Sequence, residues 1–236
     1  MFRIVSIVAF AATIAGIILH GVALPWAKGR RWDANEILRK LVCLLTLLFL
    51  EQKLAPVLAL RKLVYLLALL CLVVLAVTGF YPTLVLGEHI SGYLVMVHAT
   101  FAPIFAVCLA VLAVMWASRC RFTYSDWPWF QSIVQRVTLI RDPSLVTRDS
   151  LLSDERRATS CSSGLGQKMT FWLLIFLALP LILSIVLSMF PLFGTHHQEL
   201  LLASHGYVAL VFTIVAIVHI YLVIQIKMKD IMTFGL

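Results

Sequence analysis

Charge is scarce in this chain of 236 residues: Asp, Glu, Lys and Arg together make up 13%, against 62% hydrophobic residues. A soluble domain of this length must show polar residues on its outward faces, and several stretches here show none over roughly twenty positions. The five cysteines, Cys43, Cys71, Cys108, Cys120 and Cys161, form no C-x-x-C pair and no C-x-x-C-H. That excludes covalent c-type haem attachment and the usual iron–sulfur and zinc spacings, and leaves Cys43, Cys71 and Cys108, all in apolar runs, as packing residues. No catalytic dyad, activated nucleophile or phosphate-binding loop is visible, so any substrate chemistry belongs to another polypeptide. The net charge of +8 falls between apolar blocks, which points to membrane topology and anionic headgroups rather than to nucleic acid.

Five segments are long enough to span a bilayer: residues 4–25, 63–81, 91–117, 169–190 and 199–226. Each holds the roughly 20 residues that a helix rising 1.5 Å per residue needs to cross about 30 Å. Residues 1–26 have a basic residue and an apolar stretch, as a signal peptide does. They lack a clear cleavage site before Pro25 and are read as a retained helix. Residues 27–62 form a basic segment in which the apolar run 37–50 is too short to span and reads as an interfacial or re-entrant helix.

Lys and Arg are absent from two connections, 82–90 and 191–198. They crowd the other side: Lys28, Arg30, Arg31, Arg39, Lys40, Lys53, Arg61 and Lys62 before the second span, eight more across the loop 119–168, and Lys227 and Lys229 in the tail 227–236. This asymmetry puts the basic loops in the cytoplasm and the N-terminus outside, as expected for a multi-pass protein of a bacterial inner membrane. The loop 119–168 carries Trp127 and Trp129, placed at the interface, and then a polar stretch suited to a partner.

Four of the seven histidines, His20, His98, His205 and His219, fall inside apolar spans, where an ionisable group is costly and marks a functional candidate. His205 and His219 are fourteen residues apart on one helix, which returns them to within about 40° of one face and separates them by roughly 21 Å. One helix face thus offers an imidazole near each membrane surface, an arrangement suited to two haems stacked across the bilayer. Each low-spin haem needs a second axial ligand. The third and fifth spans run in the same direction, and His98 and His205 lie at matching depths beyond the loop residues His89 and His197, so His98 and His205 are expected to bracket an outer haem. Gly92 and Gly206 nearby would let a flat porphyrin approach the backbone. His219 and His20 lie equally far from the inner basic flank at Lys227 and Lys28, which nominates them as the inner pair. A lone histidine in a spanning helix also serves simply to hydrogen-bond a neighbour. His89, His196 and His197 read as solvated or partner-facing.

On these residues the chain resembles the membrane cytochrome b subunits of respiratory formate dehydrogenases and nickel–iron hydrogenases. The resemblance covers residues 63–226 and is carried by Gly166-Gln167-Lys168 leading into a spanning helix, by the fourteen-residue spacing of His205 and His219, and by the run His219-Ile220-Tyr221. It implies an all-α four-helix haem-binding bundle, here with an extra N-terminal transmembrane helix, five spans in total. It also implies a quinone site, for menaquinone or ubiquinone, at Gly166, Gln167 and Lys168 beside His219. A quinone carbonyl needs a hydrogen-bond donor, which Gln167 or Lys168 supplies. Gly164 stands where the family has asparagine, and Arg61-Lys62-Leu63-Val64-Tyr65 stands where it has a ligand histidine. His20 is expected to replace that ligand.

The expected function is a b-type cytochrome subunit with two haems b, passing electrons between a periplasmic redox partner (a multihaem cytochrome, iron–sulfur or metalloenzyme subunit) and membrane quinone. Its rivals are a mono-haem subunit, a haem-free membrane anchor, and a transporter with proton-relay histidines. The transporter would need helices broken at mid-membrane, hinted at only by Pro103 and Pro180.

Overall fold

Apolar runs without strand-like alternation leave one way to satisfy every backbone amide in lipid, the α-helix. A computed structural model describes residues 1–27, 56–117, 120, 148–190 and 194–233, and these residues are helical apart from short connections, with no strand among them. The order is α1 (Phe2–Ala27), α2 (Pro56–Tyr81), one turn of π-helix (Pro82–Leu86), α3 (Tyr93–Ala117), α4 (Arg148–Met189) and α5 (Gly194–Thr233). Among the described residues, five stretches are long and apolar enough to cross a membrane: Phe2–His20, Leu60–Leu86, Tyr93–Ala117, Gly166–Met189 and Gly194–Ile226. The chain is thus an all-α, multi-pass membrane protein. The run 37–50, the region of Trp127 and Trp129, and Cys43 lie outside the described residues. α4 starts at Arg148, so helix already occupies the last part of the segment expected as loop up to residue 168.

The π turn prolongs α2 without a break and ends at Gly87, whose φ of 75° is left-handed and whose N–H closes onto the Pro82 carbonyl. A residue with a Cβ would be strained there. α2 and α3 form one antiparallel hairpin and α4 and α5 a second; packing is dense within each hairpin, while α3 and α4 meet at few points. The core that joins them draws one residue from each helix: Cys71, Phe105, Ala178 and Phe212. Phe105 and Phe212 meet edge to face with ring centroids 5.8 Å apart, a preferred aromatic geometry. Away from this core, Leu70, Val77, Phe176 and Leu179 are more than half exposed. In lipid such exposure carries no hydrophobic penalty, because acyl tails are as apolar as the side chains.

α1 stands outside this four-helix core. Phe2 packs on Tyr207 at 5.0 Å and His20 on Tyr221 at 5.7 Å, so α1 runs parallel to α5. Phe10 packs on Phe80 at 5.2 Å, tying it to α2 as well. Phe212→Ala should lower the free energy of unfolding in mixed micelles by about 3 kcal/mol through the cavity it leaves. Leu202→Ala, at a position 53% exposed, should change it little. Equal effects from the two variants would mean that the midplane cluster is not the core.

Candidate functional site

Seven residues advance a helix by about 10.5 Å and return to within about 20° of the same face. Counting from the midplane cluster, this spacing builds layers. One step toward the end that carries the two hairpin turns lie Thr78 on α2, His98 on α3 and His205 on α5, with Ser184 on α4. One step toward the opposite, open end lies His219 on α5, with Thr170 on α4. Thr78 and Ser184 are each 6% exposed and Thr170 is half-buried, so each histidine meets a hydroxyl of the other helix of its own hairpin.

The hydrogen bonds decide which ring nitrogen carries the proton. Thr78 Oγ1 donates to the Val74 carbonyl at 2.7 Å and lies 2.9 Å from His98 Nδ1. A hydroxyl has one proton, and two oxygens at 2.7 Å need it between them; the His98 Nδ1–H must therefore donate to Thr78. Thr170 Oγ1 likewise donates to the Gly166 carbonyl at 2.8 Å and accepts from His219 Nδ1 at 2.7 Å. His205 Nδ1 lies 3.0 Å from the Leu181 carbonyl, which can only accept, and 3.2 Å from Ser184 Oγ. In all three rings the proton sits on Nδ1, Nε2 keeps its lone pair, and no hydrogen bond reaches Nε2 among the described residues. Fixing the far nitrogen so that the near one can coordinate is how proteins orient metal-binding imidazoles.

His98 and His205 lie at one level of the bundle: Phe105 and Phe212, one heptad on from each, are in ring contact. Their matching depth and the parallel course of α3 and α5 are as the sequence indicates. Gly79, which sequence reasoning did not single out, supports the layer: a Cβ there would stand 3.3 Å from His98 Cε1. Gly206 turns away and meets Phe2 of α1 instead, and Gly92, with φ of 59°, shapes the entry to α3.

His20 and His219 are not brought together. His20 Nδ1 is bonded at 2.6 Å to the hydroxyl of Tyr221, which also accepts from Gln225 Nε2 at 3.1 Å. Tyr221 is two residues from His219, about 200° around the helix. α1 therefore packs on the face of α5 opposite to the one that His205, Phe212 and His219 present to the bundle, with Tyr207 holding the same position one layer up. The Tyr221 oxygen thus takes part in two hydrogen bonds, one accepted from Gln225 and one shared with His20 Nδ1.

Gly166, Gln167 and Lys168 lie inside continuous helix, beside the His219 layer. The Gly166 and Gln167 carbonyls both accept from Thr170, the same hydroxyl that receives His219 Nδ1–H, and a Cβ on Gly166 would approach Leu222 of α5 at 3.3 Å. Cys120 lies at this end, its carbonyl accepting from Trp172 Nε1 at 2.9 Å; burial pushes its thiol up, and the charge of Lys168 opposes that rise. Nε of Arg61, at this end of α2, is buried without a hydrogen-bond partner among the described residues. No group of three or more His, Cys, Asp or Glu that could hold a metal ion forms among the described residues. His89, His196 and His197 are exposed.

Compared with protein-family models, with curated proteins and with solved structures, the chain matches none. The site must therefore be interpreted from its own chemistry. Thr170→Val should strip His219 of its acceptor and lower stability by about 1–3 kcal/mol, the cost of a buried unpaired donor. Ser184→Ala leaves His205 bonded to the Leu181 carbonyl and should cost less than about 1 kcal/mol. Thermal unfolding of the two variants in one detergent checks the difference, and equal losses would contradict the hydrogen-bond assignment.

Proposed function

We propose that this chain is a membrane-embedded b-type cytochrome subunit that carries electrons between a periplasmic redox partner and membrane quinone. His98 and His205 hold one haem b, and His219 carries a second toward the cytoplasmic face. The observation that carries this reading is the shared state of three intramembrane imidazoles, each with Nδ1–H donated to a half-buried protein oxygen and Nε2 left as a free lone pair. Haem iron already has four macrocycle nitrogens, so two imidazoles would complete the outer iron and His219 alone would hold the inner one, and a larger cluster of ligating side chains is not needed.

Further features fit a haem. Gly79 leaves space against the His98 ring. The sparse meeting of α3 with α4 suits a bundle whose hairpins are bridged by a flat group. The unpartnered Arg61 nitrogen suits an anionic substituent such as a propionate. When bound, haem b supplies one-electron carriage across the apolar layer. The protein's own residues orient the ligands, exclude water and hold the ring protons.

The charge asymmetry supports an orientation with the hairpin turns in the periplasm of a bacterial inner membrane and the N-terminus outside. The short turns beside the His98–His205 layer let a periplasmic multihaem cytochrome, iron–sulfur or metalloenzyme subunit dock close to it. At the other end, Gly166, Gln167 and Lys168, joined to His219 through Thr170, form the candidate site for menaquinone or ubiquinone.

A second reading, a subunit with a single haem on His98 and His205, is favoured by one observation: His20 lies across α5 from His219, which leaves the inner level with one imidazole. The purified protein should show a Soret band, and pyridine haemochrome should give two haems per chain on the first reading and one on the second. His98→Ala and His205→Ala should each remove one low-spin haem, while His20→Ala should keep the wild-type haem content. A protein without a Soret band would overturn both readings.

A further inference from the structure

Gly79 lies inside α2, where glycine is less favourable than alanine, so its presence at the level of an imidazole needs a cause. The cause lies across the hairpin. A Cβ at position 79 would stand 3.3 Å from His98 Cε1 and 3.7 Å from His98 Nδ1, the first of these inside the usual carbon–carbon separation. The α2 backbone therefore lies against the Nδ1–Cε1 edge of the ring. Thr78, the residue before, is buried and holds His98 Nδ1 at 2.9 Å. Phe80, the residue after, packs on Phe10 of α1 with centroids 5.2 Å apart. The χ2 torsion of histidine has only a broad preference, so the side chain itself does not decide where Nε2 points. Contacts from adjacent residues of α2 do.

We propose that Thr78 and Gly79 form a two-point seat that sets the rotation of the His98 ring, the hydroxyl by a hydrogen bond and the glycine by close contact. Gly79 is thereby a positioning residue for coordination at Nε2. The hydrogen bond alone fixes one ring atom and leaves the ring plane able to rock about it. The glycine contact, at the neighbouring carbon, closes off rotation toward α2. The Nδ1–H and Nε2 lone-pair directions of an imidazole diverge across the ring, so aiming the first at Thr78 aims the second away from it. Alanine at position 79 forces the ring, or the helix that carries it, to give by a few tenths of an ångström. Gly206, next to His205, provides the contrast: its Cβ would meet Phe2 of α1 at 3.5 Å and no imidazole. This inference deepens the reading of His98 as an iron ligand and rests on it, but the rotation of the ring can be observed without iron.

The test compares Gly79→Ala with Gly206→Ala in the full chain, labelled with heavy nitrogen at histidine and held in phospholipid nanodiscs. Solid-state NMR reads the ring nitrogens, and His98→Ala identifies the signals that belong to His98. Gly79→Ala should shift both His98 signals, and Gly206→Ala should leave them in place. Electron paramagnetic resonance of the haem-containing protein responds to the angle between axial imidazole planes. Gly79→Ala should displace the low-spin signal that His98→Ala abolishes while haem content stays at the wild-type level. Thr78→Val should displace the same signal, and Thr78→Ser, which keeps the acceptor, should retain it, so the seat is still decided if Gly79→Ala does not assemble. Unmoved His98 signals in Gly79→Ala, equal shifts from the two alanine variants, or a Thr78→Val signal at the wild-type position would each overturn the proposal. A wild-type chain without haem would overturn the cytochrome reading and the coordinating role with it, whereas His98 nitrogens that shift in Gly79→Ala alone would still support the seat.

Discussion

An imidazole held within a bilayer has two nitrogens, and neither finds water. Much of this structure follows from how that constraint is met. In each layer a serine or threonine hydroxyl stands opposite the histidine, already anchored by donating its proton to its own helix. An anchored hydroxyl can only accept, so it sets the Nδ1–H tautomer without ambiguity. A free hydroxyl would leave the ring able to present either nitrogen. Thr78 and Thr170, and for His205 the Leu181 carbonyl beside Ser184, therefore do more than neutralise a polar group: they leave a lone pair on Nε2, the atom with which an imidazole can coordinate a metal.

The heptad spacing gives this chemistry its place. Phe212 lies midway between His205 and His219, and its contact with Phe105 joins two hairpins that otherwise touch little. Aromatic packing at the midplane keeps the two imidazole levels apart and in register. Because the hydrophobic effect gives no net drive between helices in lipid, that register depends on close packing and on the hydroxyl–imidazole bonds themselves.

Much of this was legible in the sequence. The five spans follow from length and hydropathy, and the shared level of His98 and His205 follows from counting residues inward from the loops. Counting from a flank measures depth and not rotation, which is why His20 matched His219 in height yet sits behind it. The rotational signal was present: Tyr221, two residues from His219, had to point the other way, and an aromatic hydroxyl there invites a partner from a neighbouring helix. The hydroxyls that fix the tautomers were harder to find, since serine and threonine are common in spanning helices. Only their spacing of six to eight residues from the midplane positions sets Ser184, Thr78 and Thr170 apart. Gly79 could be found only once the helices were packed together. The early start of α4, at Arg148, lies in a polar stretch whose composition suggested loop.

The central claim is that His98 and His205 clamp one iron between their Nε2 atoms. A cryo-electron microscopy map of the purified chain with its native content tests it most directly. The account predicts flat, strong density between the two rings, continuous with both Nε2 positions. Rings that lie far apart, or that touch with nothing between them, would contradict it.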